Sequence, residues 1–376
     1  MKAFDKVPHK RLLYKLQMYG IKGDALGWIT SFLSNRTQQV LVNDAKSGTA
    51  PVTSGIPQGS VLGPILFVLY INDLPEVVDK DSFVFLFADD TKVFRQIKSD
   101  EDRSVLQKDI QNLLNWSDKW LLKFHPDKCL CMGIGYSEET ENTFYNMNGQ
   151  LLSMTNCEKD LGVFFDRQLK FEHHINNLVN KANRILGIVK KTFDCMDKST
   201  FCYIFKGLVR PHLEYAAPVW SPHLIKHIDA LENVQIRATK LVPGLSNLDY
   251  PVRLKRLKLP TLAYRRTRGD MINAYKIING GFDSTITSML PLNTTYQRGH
   301  DHRIYVDRSN KDVRKFNFTM RVRKLWNDLP DKVVSASDVK EFEIELDNYW
   351  KKQDLLYNNY KAEIVLRKPE RYLHQY

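Results

Sequence analysis

No stretch of this 376-residue chain is apolar for long enough to cross a bilayer: the longest nearly apolar run, residues 61–71, contains Gly63 and Pro64 and falls short of the roughly 20 residues a membrane helix needs. The start Met-Lys-Ala-Phe-Asp puts an acid where a signal peptide carries its apolar core, so secretion is not expected and an intracellular protein, nuclear or cytoplasmic, is. Cysteine is scarce. The five present, Cys129, Cys131, Cys157, Cys195 and Cys202, show none of the paired two-residue gaps of a zinc knuckle and imply no disulfide framework. Cys129 and Cys131 alternate on one expected strand and read as small buried hydrophobes. His173-His174 and His300-Asp301-His302 lack a companion carboxylate-and-histidine constellation and read as solvated or phosphate-facing. No repeat or low-complexity tract breaks the chain. Acids are under-represented in one half only: residues 167–376 hold 37 Lys and Arg against 22 Asp and Glu, whereas residues 1–166 hold 18 against 21. The formal net charge of +12 is therefore a basic second half beside a slightly acidic first half, a layout suited to a partner of dense negative charge.

Against that background two acids stand side by side, Asp89 and Asp90, inside the run Ser-Phe-Val-Phe-Leu-Phe-Ala-Asp-Asp-Thr-Lys-Val-Phe over residues 82–94. The flanks have strand composition, which predicts a β-hairpin with both carboxylates at or beside its turn. A turn can simply be solvated, but the apolar flanking residues Phe83 to Ala88 predict a buried strand, and buried carboxylates bind metal or find cations. Upstream, residues 54–67 read Ser-Gly-Ile-Pro-Gln-Gly-Ser-Val-Leu-Gly-Pro-Ile-Leu-Phe, a Gly/Pro-punctuated loop that runs into a helix. Gly55 and Gly59 allow close approach of the backbone to a ligand, and Gln58 between them offers a neutral hydrogen-bonding head.

Loop and acidic hairpin in this order resemble the palm of a reverse transcriptase, and most closely the RNA-directed DNA polymerases of non-LTR (LINE-like, jockey- or CR1-type) retrotransposons. The resemblance extends through Ala-Phe-Asp-Lys-Val-Pro-His-Lys at residues 3–10, Trp-Ser-Asp-Lys-Trp at 116–120, His-Pro-Asp-Lys-Cys at 125–129 and Leu-Gly-Val at 161–163. Beyond about residue 170 the similar runs, among them Pro-His-Leu-Glu-Tyr-Ala at 211–216 and Arg-Arg-Thr-Arg-Gly-Asp at 265–270, are less diagnostic.

What the resemblance implies can be written residue by residue. Asp89 and Asp90 would hold Mg²⁺ (or Mn²⁺), with Asp89 the direct ligand. Lys128 would approach the phosphates as a cation or proton donor. Phe4 would close the pocket under the sugar 2′ position, and Gln58 and Gly59 would line the nucleotide and template side. The partners would be an RNA template, a DNA primer and deoxynucleoside triphosphates. In this family a further metal-binding Asp precedes Lys-Ala-Phe-Asp, and here that segment directly follows Met1. The resemblance thus implies a chain without that ligand and without the fingers, inactive or incomplete by itself. Asp5 reads as a helix N-terminal residue, not as a replacement.

The pattern along the chain predicts helices over 8–19 and 23–35, a strand pair at 38–43 and 51–53, a helix from about 66 to 71, and a long helix capped by Ser99 or Asp100. A strand over 122–133, bent at Pro126-Asp127, and a hairpin turning at Asn148-Gly149 follow. Together these give an α+β class: a palm of antiparallel sheet backed by helices over 1–168, a helical thumb-like segment over 169–222, and a basic, mainly helical C-terminal segment over 223–376. In the run 252–268, Arg253, Lys255, Arg256, Lys258, Arg265, Arg266 and Arg268 occur with no acid among them, which predicts a phosphate-contacting surface or a solvated helix face. Two functions remain in view: an RNA-directed DNA polymerase, whole or as one piece, and a non-catalytic nucleic-acid-binding remnant.

Overall fold

A computed structural model describes residues 3–135, 144–293 and 300–366. They fall into two compact units, residues 3–133 with 144–155 and residues 134–135 with 156–293 and 300–366.

The first unit opens with a 3-10 turn, Ala3–Lys6, followed by α1 (His9–Met18) and α2 (Gly23–Leu33). Pro8 sits at the helix entry, where its missing N–H costs nothing, and Leu12 and Leu16, one turn apart, are fully buried. α3 (Leu62–Ile71) is apolar nearly all round and buries Leu66, Phe67, Tyr70 and Ile71. α4 (Asp100–Trp120) begins in a capping box: Asp102 N donates to Ser99 Oγ, and Ser99 N donates back to Asp102 Oδ2 at 3.2 Å. Its inward stripe, Ile110, Leu113, Trp116 and Trp120, packs toward the strands and the core. Lys15 on α1 is buried under the rings of Tyr70, Trp116 and Trp120, with Nζ 2.5 Å from Asp73 Oδ1, and burial pulls its pKa down. One cation thereby ties α1, α3 and α4 together.

Sheet structure in this unit is divided. β1 (Thr37–Gln38) pairs with β4 (Ala50–Pro51), and between them in sequence β2 (Leu41–Val42) pairs with β3 (Ala45–Lys46). β5 (Ser82–Phe87) and β6 (Asp90–Arg95) form a six-rung antiparallel hairpin. β7 (Leu130–Cys131) lies parallel to β10 (Ser153–Met154), and β8 (Asn146–Met147) turns into β9 (Gln150–Leu151). Among the described residues every ladder joins two strands, so the palm's strands do not merge into one sheet while the α+β class holds. The strand expected over 122–133 shrinks to Leu130–Cys131. Pro126 lacks an N–H for a ladder and starts the 3-10 turn Pro126–Lys128 instead. Asn148 and Gly149, at φ +56° and +82°, make the expected tight turn. Cys129 and Cys131 are half-buried against Ile110, Tyr145, Met147 and Leu152, and burial pushes both thiols up in pKa.

The second unit starts with the hairpin β11 (Cys157–Asp160) and β12 (Val163–Asp166) and is otherwise helical. In order come α5 (Glu172–Thr192), α6 (Lys198–Ile204), a π turn over Phe205–Val209, α7 (Arg210–Glu214), α8 (Ala217–Trp220), α9 (Ile225–Ala238), α10 (Tyr250–Leu257) and α11 (Leu262–Ile278). The short helices α12 (Ser284–Thr287) and α13 (Asp312–Lys315), then α14 (Phe318–Asn327), α15 (Asp331–Val334), α16 (Val339–Tyr349) and α17 (Asp354–Tyr357) complete it. One core gathers Ile175, Phe201, Phe205, Trp220, Leu231 and Leu254, and a second gathers Met271, Trp326, Val333, Phe342 and Trp350. Because α5 and α9 pack on each other in the first of these cores, the boundary expected after residue 222 has no physical counterpart. Similarly, β12 packs on α5, which moves the first boundary from 168 back to 155. His174 and His300 are buried rather than solvated. Phe164 N donates to His174 Nδ1, and the His300 ring meets the Trp326 carbonyl at 3.2 Å. No helix among the described residues is long and apolar enough to cross a membrane.

Candidate active site

The acidic hairpin is anchored at one end and open at the other. At its base Ser82 Oγ donates to Asp109 Oδ2 at 2.5 Å, and Arg95 Nη1 donates to Asp79 Oδ1 at 2.7 Å while its Nε reaches Asp102 Oδ1 at 3.1 Å. Arg95 and the Asp81 amide hold the Asp79 carboxyl below the usual carboxylate range, so this anchor is an ion pair at neutral pH. Val84, Leu86 and Val93 pack against the unit's core, and the opposite face carries Phe83, Phe85, Phe87 and Phe94. That face is the main departure from expectation. Phe83, Phe85 and Phe87 are 53%, 45% and 61% exposed, so the strand is not buried on both sides. The rings cover each other instead, Phe94 stacking on Phe83 and Phe85 at 5.0 and 5.3 Å between centroids.

At the apex Phe87 pairs with Asp90, which leaves Ala88 and Asp89 as a two-residue connection. Ala88 has φ +49°, a left-handed backbone that a residue with a Cβ adopts at some cost. Asp89 and Asp90 are both exposed there. Among the described residues no group of three or more His, Cys, Asp and Glu converges on a potential metal position. Two carboxylates suit an ion that shares its coordination with substrate phosphates and water, as magnesium does, and do not suit a closed protein cage.

A second part of the site is built by the first residues of the chain and the Gly-rich loop. Gly55 N donates to Val7 O and Ile56 N to Phe4 O, both at 2.9 Å, while Ser54 Oγ donates to Asp5 O at 3.1 Å. Gly55 has φ +92°, and a Cβ there would lie 2.8 Å from Asp5 Cα; only glycine permits this approach. Gln58 Nε2 donates to Asp5 Oδ1 at 2.8 Å. Asp5, read from sequence as a helix-entry residue, is therefore also the partner that orients Gln58. Nothing in sequence spacing signals a contact across 53 positions. Phe4 is half-buried with its ring stacked on Phe67 at 4.3 Å, Gly59 is exposed with open space around it, and Lys128 is exposed on its 3-10 turn. Phe4, Gln58 and Gly59 thus share one patch.

The basic run of the second unit is corrected by the structure. Arg253 is buried and donates through Nη1 to Ile236 O at 2.9 Å. Arg266 is buried as well. Arg265 forms a two-bond pair with Glu214, and Arg268 pairs with Asp347 and Glu343. Those acids come from distant parts of the chain, which is why the run looked uncompensated in sequence. Lys255, Arg256 and Lys258 remain exposed, as do Lys181, Arg184, Lys190 and Lys191 on α5.

Residues 1–166 match the family profile described as reverse transcriptase (RNA-dependent DNA polymerase). Across 64% of its length the chain is 29% identical to the RNA-directed DNA polymerase from mobile element jockey of Drosophila melanogaster and 28% identical to its namesake from Drosophila funebris. It is 26% identical, over the same share, to the probable RNA-directed DNA polymerase from transposon X-element of Drosophila melanogaster. The chain spans about a quarter of the length of these relatives, 27% in each case.

Proposed function

We propose that this chain, which belongs through residues 1–166 to the reverse transcriptase family, carries the nucleotidyl-transfer centre of an RNA-directed DNA polymerase of a non-LTR mobile element. The observation that carries the reading is the pair of exposed carboxylates, Asp89 and Asp90, at the apex of a hairpin whose base is clamped by Ser82 and Arg95. The substrates on this reading are an RNA template, a DNA primer and deoxynucleoside triphosphates. Asp89 and Asp90 would hold magnesium or manganese, which when bound supplies Lewis acidity for the primer 3′-hydroxyl and the leaving pyrophosphate. Phe4 sets the wall beside the sugar, Gln58 presents an amide fixed by Asp5, Gly59 leaves room for a close approach of the substrate, and Lys128 offers its ammonium to phosphate.

Primer extension on an RNA template tests the reading. With only two carboxylates contributed by the described residues, incorporation is expected to be slow. Asp89→Ala should lower it by a further factor on the order of 10²–10³, the usual effect of removing one electrostatic element of an active site. An equal rate in the variant would take the hairpin out of the chemistry. The second reading, a nucleic-acid-binding remnant, predicts hybrid binding with no incorporation at all.

A further inference from the structure

The clasp between the first residues of the chain and the Gly-rich loop is held without the Asp5 carboxylate. Gly55 N donates to Val7 O and Ile56 N to Phe4 O, both at 2.9 Å, Ser54 Oγ donates to Asp5 O at 3.1 Å, and the His9 ring meets the Gly55 carbonyl at 2.8 Å. The carboxylate does not serve the following helix either, because α1 has Pro8 at its N-cap and no side-chain capping bond. It reaches instead across 53 positions to Gln58, whose Nε2 donates to Asp5 Oδ1 at 2.8 Å. Both residues are exposed. A hydrogen bond within reach of water adds little to stability, so what this one supplies is orientation.

A carboxylate can only accept, so the atom of the Gln58 amide that faces Asp5 has to be the nitrogen. The amide is planar with its oxygen on the other branch, and Oε1 is thereby turned away from Asp5. The rest of the patch is fixed or open: the Phe4 ring stacks on Phe67 at 4.3 Å, and nothing lies within 4 Å of a Cβ built on Gly59. A ligand entering this patch therefore meets a hydrogen-bond acceptor of set direction. Without the carboxylate the amide could turn either atom outward, and its ordering would be left to the moment of binding.

We propose that Asp5 is a positioning residue, whose carboxylate turns the Gln58 amide so that the site presents an oxygen to its ligand. The group received there is a hydrogen-bond donor of the nucleotide, a hydroxyl or an amine, and never a phosphate oxygen. Asp5 thus acts on substrate selection through Gln58, without binding metal. This role rests on reading the patch as a nucleotide site.

The test uses the full chain on an RNA–DNA hybrid whose primer ends in a dideoxynucleotide opposite a template that next calls for thymidine. Calorimetry measures the affinity for thymidine triphosphate with manganese. Asp5→Ala and Gln58→Ala should each weaken it roughly three- to tenfold, and the double variant no further than Gln58→Ala, because Asp5 acts only through Gln58. Manganese tripolyphosphate, which has no donor, should bind Asp5→Ala as well as it binds the unaltered chain. The melting temperature of Asp5→Ala should be unchanged. In the ¹⁵N spectrum, the side-chain amide signal that disappears in Gln58→Ala should move in Asp5→Ala. The proposal alone is overturned if that signal stays in place, if only Gln58→Ala loses affinity, or if the two losses add. It is overturned equally if Asp5→Ala also weakens tripolyphosphate binding, as a metal ligand would, or melts far lower, as a structural acid would. If the unaltered chain binds no triphosphate, or Gln58→Ala keeps full affinity, the nucleotide reading of the patch falls and takes this role with it, even where the amide signal shows the contact to be made.

Discussion

Gly55 decides whether the Gly-rich loop can lie against the first residues of the chain. Its φ of +92° and the 2.8 Å approach of a hypothetical Cβ to Asp5 leave no room for any other residue. Gly55→Ala should therefore cost about 2 kcal/mol of the first unit's stability through strain and overpacking. Urea unfolding followed by tryptophan fluorescence checks this through Trp116 and Trp120, and an unchanged midpoint would show that the close approach is not made. At this scale the sequence was read best where a residue acts locally. Asn148-Gly149 and Ser99 signal their turn and cap within a few positions, and the structure places both as expected. Where a role depends on a distant partner it was hidden. Asp5 with Gln58, Lys15 inside its aromatic cage, and Arg265 with Glu214 join positions 50 or more apart. A run of arginines without local acids looked like a surface, and folding supplied the acids from elsewhere.

Among elements, the hairpin β5–β6 holds the candidate metal ligands and shows how period-two patterning sorts its residues. Seven of the residues in 83–88 and 93–94 are large and apolar, which reads as a strand buried on both faces, yet the pleat sends Val84, Leu86 and Val93 inward and the phenylalanines outward. The larger side chains thus contribute less to stability. Leu86→Ala should cost on the order of 2 kcal/mol in chemical denaturation, and Phe87→Ala less than about 1 kcal/mol, because a ring that is 61% exposed gives up little burial. The reverse order would mean that the aromatic face is the covered one. The helices α1, α2 and α4 were legible because their apolar spacing repeats over several turns, and the short ladders were not, because two residues carry no periodicity.

At the scale of the whole molecule, the slightly acidic first 166 residues hold the metal-binding candidates and the basic remainder holds the cations, as the charge distribution suggested. The division into bodies was less legible than the charge distribution. β11 and β12 join the helical unit, and the thumb-like and C-terminal segments are continuous through a shared core. The α+β class and the resemblance to reverse transcriptases followed from motifs in the first 166 residues, the stretch that the reverse transcriptase profile also matches. The central claim is that Asp89 and Asp90 form a metal site completed by substrate phosphates. Manganese binding to the full chain, measured by electron paramagnetic resonance with and without a deoxynucleoside triphosphate, tests it most directly. Manganese alone should bind weakly, and the triphosphate should tighten binding at least tenfold beyond its own affinity for the ion, a gain that Asp89→Asn abolishes. Tight binding without nucleotide, or a gain that survives Asp89→Asn, would contradict it.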